Sequence, residues 1–548
     1  MPSIFNQSGF KSTARAGIYA RIDASALAGG DIESGNIALV GDFTSFQANT
    51  PYVFSSRRSM VAFDSTDQEL ALLAQLAFSP SDDPNASNGA SSIRIVNARE
   101  NTAQASLSLG ALSLKSKVWG ARGNRLQASL AISGDTHTLD LVRNGFTEQF
   151  KVENDTIAQL SNTSGADVTL TINNGTFTVT GANIADITVS SSEAIYLKDV
   201  VNLINNVSGL TMTLIDPVSI ESVKFDFLAS TVIADSATHD LKAPNYRLLD
   251  ALQASNLVTV TIDTTQAGAL SASTITASGG GFGNTYNWDG ALQSIENENV
   301  QIVVLFSTDA GAQSKIANHL NQSALAGYER QAYTAIENTS TLAQIKTRAV
   351  SLNNAGIALV AQNVELFDPQ GLRKEIDSKY LALIMAGMQA GSDIGEPLTR
   401  KRPRVIKTIQ TQWNPYNDAE QALRSGLLFL SSDNLGVKVE RSISTYLTDN
   451  NPIYSEISTY ESVLASLRDL RQALADQIGR PTRTSQLALI EGRTKTRLTA
   501  QVRDGIIKAF QNVQLEDLGD EVAISYEVAP VEPLNFVSIT AVATRISL

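Results

Sequence analysis

Residues 434–513 constrain this chain more than any other stretch, because they call for a strand and two amphipathic helices in close succession. The run GVKVERSISTYLT at 436–448 alternates in side-chain character and is rich in β-branched residues, which predicts a strand. Asn451 then suits a helix N-cap and Pro452 the first helical position, where a missing N–H costs nothing. Ile457, Tyr460, Leu464, Leu467, Leu474 and Ile478 recur at helical spacing, and Gly479 and Pro481 stop the helix. A second helix is predicted to carry Leu498, Val502, Ile506, Phe510 and Val513 on one face. Helices of this kind beside strands need a common core, so the stretch reads as a compact α/β unit.

The run VERSISTYLTDNNPIYSEISTYESV within it resembles the C-terminal domain of the contractile-tail sheath proteins of bacteriophages. That family has a strand ending in Arg-(Ser/Ala)-Ile-(Thr/Ser)-Thr-Tyr-Thr, then a long helix with an acidic residue near its start. Arg441, Ile443, Thr445, Tyr446, Thr448 and Glu456 stand in or near those places, with Leu447 an extra residue before the last Thr.

At 548 residues the chain has room for roughly three or four domains. Its 43% hydrophobic and 18% charged content is that of a folded chain, and its net charge of −13 argues against coating nucleic acid. It has no Cys and three His, so no disulfide framework or thiolate metal site is expected. The first residues, MPSIFNQSGFKSTARAG, lack the apolar stretch of a signal peptide, and no run approaches the ~20 apolar residues that span a bilayer. A soluble product made in a cytoplasm is the expectation.

Taken in order, residues 1–35 hold one alternating run, 17–23, with too few large apolar neighbours to bury much surface. It is either a terminus that pairs onto its own domain or an arm that adds a strand to another subunit. It resembles the (Pro)-Gly-Val-Tyr start of sheath proteins, with Ala16 in place of the proline. A core follows over 36–131: a buried-type strand at 36–41, Thr50-Pro51, a helix opened by Asp67 with Leu70, Leu73 and Leu76 on one face, and a strand at 93–96. Gly123-Asn124 suits a tight turn with positive φ. Over 132–216 Thr, Ser, Asn and Gly rise and short alternating runs appear, which predicts an inserted all-β domain, a small sandwich or barrel projecting outward. The second part of the core, 217–400, alternates strand and helix from residue 300 and predicts a parallel sheet. Gly279 to Asn284 fits no phosphate-loop spacing and reads as a flexible loop, and Asp309 reads as an N-cap. Arg400, Lys401, Arg402, Arg404 and Lys407 read as a solvated linker into a C-terminal domain at 401–533, and 534–548 as a β-rich tail. The fold class is therefore multidomain α+β: an α/β core, a C-terminal α/β domain, terminal β-arms and an all-β insert.

No catalytic motif stands out. His137, His239 and His319 are scattered, and G-x-S-x-G and H-E-x-x-H are absent. No catalytic residue, cofactor or metal ligand is assigned, and the chain is expected not to be an enzyme; an α/β enzyme with a β-sandwich binding module is the remote alternative. What the family resemblance implies is a structural subunit of a phage tail sheath, part of the virion and assembled in the host cytoplasm. Its copies form stacked hexameric rings around a tail tube and contract to drive the tube through the host envelope. The implied partners are further copies of the chain, the tail tube protein, and the baseplate and tail terminator proteins, with no direct nucleic acid and no membrane insertion. A tail-derived secretion or bacteriocin sheath is the nearer alternative. Inter-subunit arm residues are then Ile18, Tyr19, Ala20, Arg21 and Ile22 at one end and Val537, Ile539, Val542 and Ile546 at the other. Arg493, Lys495, Arg497, Arg503 and Lys508 are the candidates to face the tube, set against a reading in which they are solvated or paired with nearby acids.

Overall fold

In the computed structural model the described residues are 35–535, apart from residues 82, 84–87, 174–175, 191–192, 195, 216–230, 263–269, 450, 482 and 520. Both expected arms, with Ile18, Tyr19, Ala20, Arg21 and Ile22 and with Val537, Ile539, Val542 and Ile546, lie outside the described residues. The described chain divides into two compact units. One is built from the stretches up to Phe43, Ala48–Arg99 and Tyr286 onward, the other from Thr44–Gln47 and Glu100–Thr285. The second is wider than the 132–216 stretch marked by composition.

The first unit is organised by a six-stranded sheet of β1 (Asn36–Gly41), β2 (Tyr52–Phe54), β3 (Ser92–Asn97), β4 (Ile302–Phe306), β5 (Gln331–Ala335) and β6 (Ile357–Val360), in the order β2-β3-β1-β4-β5-β6. All neighbours are parallel except β2 and β3; Ile37 stands opposite Ile93 on one side and Ile302 on the other. A parallel sheet is covered on both faces, so its middle strands are apolar without alternation. Ile37 to Val40 and Val303 to Leu305 are accordingly shut off from solvent. Helices α1 (Gln68–Phe78), α2 (Ala310–Leu325), α3 (Leu342–Leu352) and α4 (Ser378–Ala390) supply the cover. Their starts follow the sequence: Asp67 accepts from the Glu69 and Leu70 amides, Asp309 from Ala312 at 2.8 Å, and Thr341 with Gln344 makes a capping box. α4 is buried along its length from Leu381 to Ala390. A Cβ at Gly387 would lie 2.8 Å from the Leu76 carbonyl oxygen, so glycine is what lets α4 approach α1 so closely.

The second unit is antiparallel throughout its strand pairings. A four-stranded sheet (Ile187–Val189, Thr176–Gly181, Val168–Asn173, Thr231–Ile233) and a three-stranded one (Leu210–Leu214, Thr156–Asn162, Thr238–Lys242) contribute to one apolar cluster. Two further sheets, one around Leu112–Trp119 and one around Leu126–Ser133, contribute to another with the helix Pro244–Leu252. The all-β expectation for 132–216 is corrected by the helix Leu197–Ile204. Its Leu197, Val200 and Ile204 are buried at helical spacing among β-branched neighbours that resemble strand sequence. The turn at Gly123-Asn124 is also different: residues 120–125 form a 3-10 helix, and the positive φ of 70° belongs to Gly120. Gly123 permits close approach to the Val118 carbonyl, and Asn124 exchanges hydrogen bonds with the Gly280 backbone at 2.8 and 3.0 Å.

Beyond the sheet, the first unit continues into α5 (Ile457–Leu474), α6 (Thr484–Arg503), β7 (Ile507–Asp517) and β8 (Val522–Pro530). The predicted strand at 436–448 ends at Val439. Past it, side chains compete for the backbone: the Ser444 hydroxyl donates to the Tyr454 carbonyl and the Thr445 hydroxyl to that of Asn354. The predicted second helix ends at Arg503, and Gly505, at φ 76°, turns the chain into β7. Phe510 and Val513 lie in that strand. A register shift between Gln511 and Gln514, with Asn512 at φ 54°, makes a bulge there, and both residues pack on the cluster that also takes Val502. A bulge thus reproduces the three-residue spacing of a helix.

The basic run is solvated only in part: Arg400, Arg404 and Lys407 are exposed, but Lys401 and Arg402 are not. Lys401 is buried and donates to Glu396 and to the Pro397 carbonyl, both at 2.7 Å, while Arg402 forks onto Asp433 with two contacts of 2.8 Å. One carboxylate five residues back and one 31 residues on neutralise charges that look unpaired when read along the chain.

Candidate functional site

The C-terminal elements of the first unit gather most of the residues that the sequence singles out. α5 lies between the sheet and α6, and its side chains toward both are largely polar. Toward α6, the Arg497 guanidinium grips the buried carboxylate of Asp469, its Nε 2.7 Å from both oxygens; Gln501 adds a donor at 2.6 Å. Ser466 donates to Gln501 at 2.7 Å. The apolar part of this contact is the cluster of Ala465, Leu470, Leu498, Ile506 and Ile507, against which Val502, Phe510, Val513, Tyr526 and Val528 pack.

Toward the sheet, Arg471 pairs with the buried Glu329 at 2.5 Å, and Arg468 donates to the Glu329 carbonyl at 2.9 Å. Gln389 of α4 joins three groups: it accepts from the Tyr333 hydroxyl and donates to Gln331 at 2.6 Å and to Glu461 at 2.9 Å. Gln331 in turn donates to the Ile457 carbonyl at 2.8 Å. Burial pushes the Glu461 carboxyl up to about 7, against the pull of Gln389, Arg468 and the Gly395 amide. Sequence reading missed this layer; the signal for it was Glu461 and Arg468 beside the apolar stripe of α5.

All five candidate tube-facing cations have partners within the chain. Arg493 meets Asp476 and Lys495 meets Glu491, each at 2.5 Å, Arg503 meets Asp504 at 2.8 Å, and Arg497 is committed to Asp469. Lys508 is on β7, not on the helix, and reaches Glu532 at 3.1 Å. Hydrogen bonds from these arginines hold Asp476 and Asp504 below the usual carboxylate range. Exposed pairs of this kind are worth only ~0–1 kcal/mol and leave their charges available to a partner. The Arg497 pair is different, because Asp469 is 2% exposed.

β7 and β8 form a sheet of two strands, and among the described residues no other strand joins either edge. Side chains along both strands are mostly exposed or half-buried. Edges of this length are usually shortened, charged or covered, since each presents a row of unpaired N–H and C=O groups to any chain that can lie beside it.

No three His, Cys, Asp or Glu side chains cluster as a metal site would need, among the described residues. No helix there is long and apolar enough to cross a membrane.

No family model matches the chain. Among curated proteins it is similar to the tail sheath protein of Staphylococcus phage Twort, 23% identical over 47% of this chain and 44% of that one. It is also similar to the tail sheath protein of Bacillus phage SP01, 21% identical over 86% and 85% of the two chains. A protein of Enterococcus phage phiEF24C is 22% identical over 97% of each chain. Among solved structures, a sheath tail protein from Desulfitobacterium hafniense superposes with a TM-score of 0.59 at 13% identity, over 92% of this chain and 94% of that one. A sheath tail protein from Listeria innocua gives 0.59 and 13% over 92% and 93%. The fold is that of these proteins.

Proposed function

We propose that this chain, a homologue of phage tail sheath proteins with the fold of solved sheath tail proteins, is the structural subunit of a contractile tail sheath. In this reading copies polymerise as stacked hexameric rings around a tail tube. They then shift from an extended lattice to a shorter, wider one and drive the tube through the host envelope. The chain acts mechanically and not as an enzyme. Its partners are further copies of itself, the tube protein, and the proteins that close the tail at the baseplate and at the terminator. It works in the virion tail after assembly in the host cytoplasm.

The observation that carries the reading is the two-stranded sheet of β7 and β8, which no further strand joins among the described residues. A sheath whose bodies rotate needs joints that hold while surfaces slide, and backbone pairing supplies them. Each added hydrogen bond contributes only about 0.5–1.5 kcal/mol net, but a six- or seven-residue strand sums to several. The alternating runs at 17–23 and 537–548 are the segments of neighbouring copies that would add to those edges, making 1–35 and 534–548 the arms of this subunit and 401–533 its joining domain. The exposed cations Arg493, Lys495, Arg503 and Lys508 are the ones left to meet the tube, weakly enough to let it move.

Negative-stain microscopy of the purified full chain and of a form lacking residues 1–25 tests this. Rings or tubes from the full chain and folded monomers from the shortened one are expected. Full-length tubes from the shortened chain would end the arm assignment, and dispersed monomers from the full chain under all assembly conditions would end the sheath reading.

A further inference from the structure

The elements α5, α6, β7 and β8 share an apolar cluster to which Ile394, after α4, also adds, whereas the face of α5 toward the sheet carries the polar layer of Glu461, Gln389, Gln331, Tyr333, Glu329, Arg468 and Arg471. Unpartnered groups lie along the same helix. The hydroxyl oxygens of Ser458, Thr459 and Ser462, and Nε and Nη2 of Arg468, are shut off from solvent and have no hydrogen-bond partner among the described residues. Ser458, Thr459 and Ser462 are at most 2% exposed.

The chain's route singles out one point. It enters these elements through Glu456, an extended residue (φ −103°, ψ 122°) that separates the short helix Pro452–Ser455 from α5. It leaves them by Asn535, whose Nδ2 donates at 2.9 Å to the carboxylate of that same Glu456. Entry and exit therefore meet at one residue.

We propose that the polar layer beneath α5 is a parting plane and Glu456 its hinge, so that α5, α6, β7 and β8 swing off the sheet as one body while the sheet stays folded. The polar terms agree in sign. Hydrogen bonds across the plane exchange for bonds to water at small net cost. The Glu329–Arg471 pair has spent most of its attraction on desolvation. The unpartnered hydroxyls and guanidinium nitrogens gain partners on opening, which favours it outright. The apolar cluster moves with the body except for Ile394, and the loss of that contact, with Ile457 and Leu464 buried on α5 outside the cluster, opposes opening. Its use in a sheath rests on the reading above, where the joint formed by β7 and β8 must keep its neighbours while the sheet turns; the parting itself does not rest on it.

Hydrogen exchange on the isolated full chain, read by mass spectrometry, decides the matter without assembly. Amides of α5, α6, β7 and β8 should exchange together through an opening that leaves those of β1 and β4 protected. The triple variant Ser458→Ala, Thr459→Val, Ser462→Ala removes the unpartnered hydroxyls and should slow that opening about tenfold, with exchange in β1 and β4 unchanged. Exchange of α5 and α6 only in step with β1 and β4, or a triple variant whose opening is unchanged or faster, overturns the proposal. A chain that shows the opening but builds no tubes counts against the sheath reading and leaves the parting plane standing.

Discussion

Arg441 places its Nε 2.6 Å from Oε1 of Glu456, fifteen residues further along the chain. Glu456 is fully buried and shares that oxygen with Asn535. Burial raises its carboxyl above the usual range, with Arg441 pulling the other way. Arg441→Met should therefore cost about 3 kcal/mol, since it strands a buried acid. Glu456→Gln keeps an acceptor for both neighbours and should cost about 1 kcal/mol. Urea unfolding of the two variants against the parent checks the ranking, and an equal loss in both would show that charge is not what matters there.

Glu461 makes stability depend on pH. Its folded value of about 7 lies above the ordinary Glu value of roughly 4.3, so the folded chain holds a proton that the unfolded chain releases. The groups around it are Gln389, Arg468, the Gly395 amide and the Tyr333 hydroxyl. Its contribution is complete below about pH 4.3 and is lost as pH rises through about 7, a fall of up to ~3 kcal/mol. Glu461→Gln should flatten that part of the stability profile. An unchanged slope between pH 5 and 7.5 would place the titrating group elsewhere.

Arg497 and Arg493 stand one helical turn apart and should behave oppositely. Arg497→Gln leaves Asp469 buried with only Gln501 to meet it and should destabilise the α5–α6 contact by about 3 kcal/mol. Arg493→Gln breaks an exposed pair and should cost under about 1 kcal/mol. If Arg493 meets the tube, the Arg493→Gln variant should instead weaken sheath assembly on purified tubes and lessen its salt dependence. Thermal unfolding and assembly measured side by side separate the two roles.

The second unit should be removable. Arg99 and Tyr286, which flank it, are bridged backbone to backbone; Arg99 also donates to the Tyr286 hydroxyl at 2.8 Å, and both side chains bond Asp42. Replacing residues 100–285 with a short Gly/Ser linker should leave the six-stranded sheet intact, with a cooperative thermal transition. Loss of cooperative unfolding would show that the first unit needs the second to fold. Loss of tubes from a folded deletion variant would assign lattice contacts to it.

What could be read from sequence follows from how far apart the determinants lie. Asp67 and Asp309 act within three residues of themselves, and each caps the helix that its neighbours predict; Asn451 and Pro452 open only the short helix Pro452–Ser455, and the long helix expected from them starts after the extended Glu456. The strands at 36–41 and 302–306 show as unbroken apolar runs because both faces are covered. The side-by-side pairing of β1 with β4 is carried by no local pattern. The same holds for Gln389, whose partners Gln331 and Glu461 are 58 and 72 residues away, and for Arg402, whose partner Asp433 is 31 residues on. The bulge at Asn512 misled in a different way, by giving strand residues the spacing of a helix. The resemblance drawn from residues 439–463 agrees with the phage sheath relatives, and Arg441 and Glu456, two of the residues that carried it, are bonded to each other.

The pairing of β1 with β4 also bears on how the chain is made. Asn36 finds its partner Gln301 across 265 residues. At about 5–20 residues per second, β1 emerges from the ribosome roughly 13–50 s, and β3 roughly 10–40 s, before the strand that completes their sheet. During that interval an apolar strand, Ile37 to Val40, waits with one edge open. The residues synthesised meanwhile are those of the second unit, whose sheets pair within themselves. Nascent-chain arrest just before residue 300 should therefore yield a folded second unit beside protease-sensitive β1 and β3, a state that a chaperone must cover until β4 arrives.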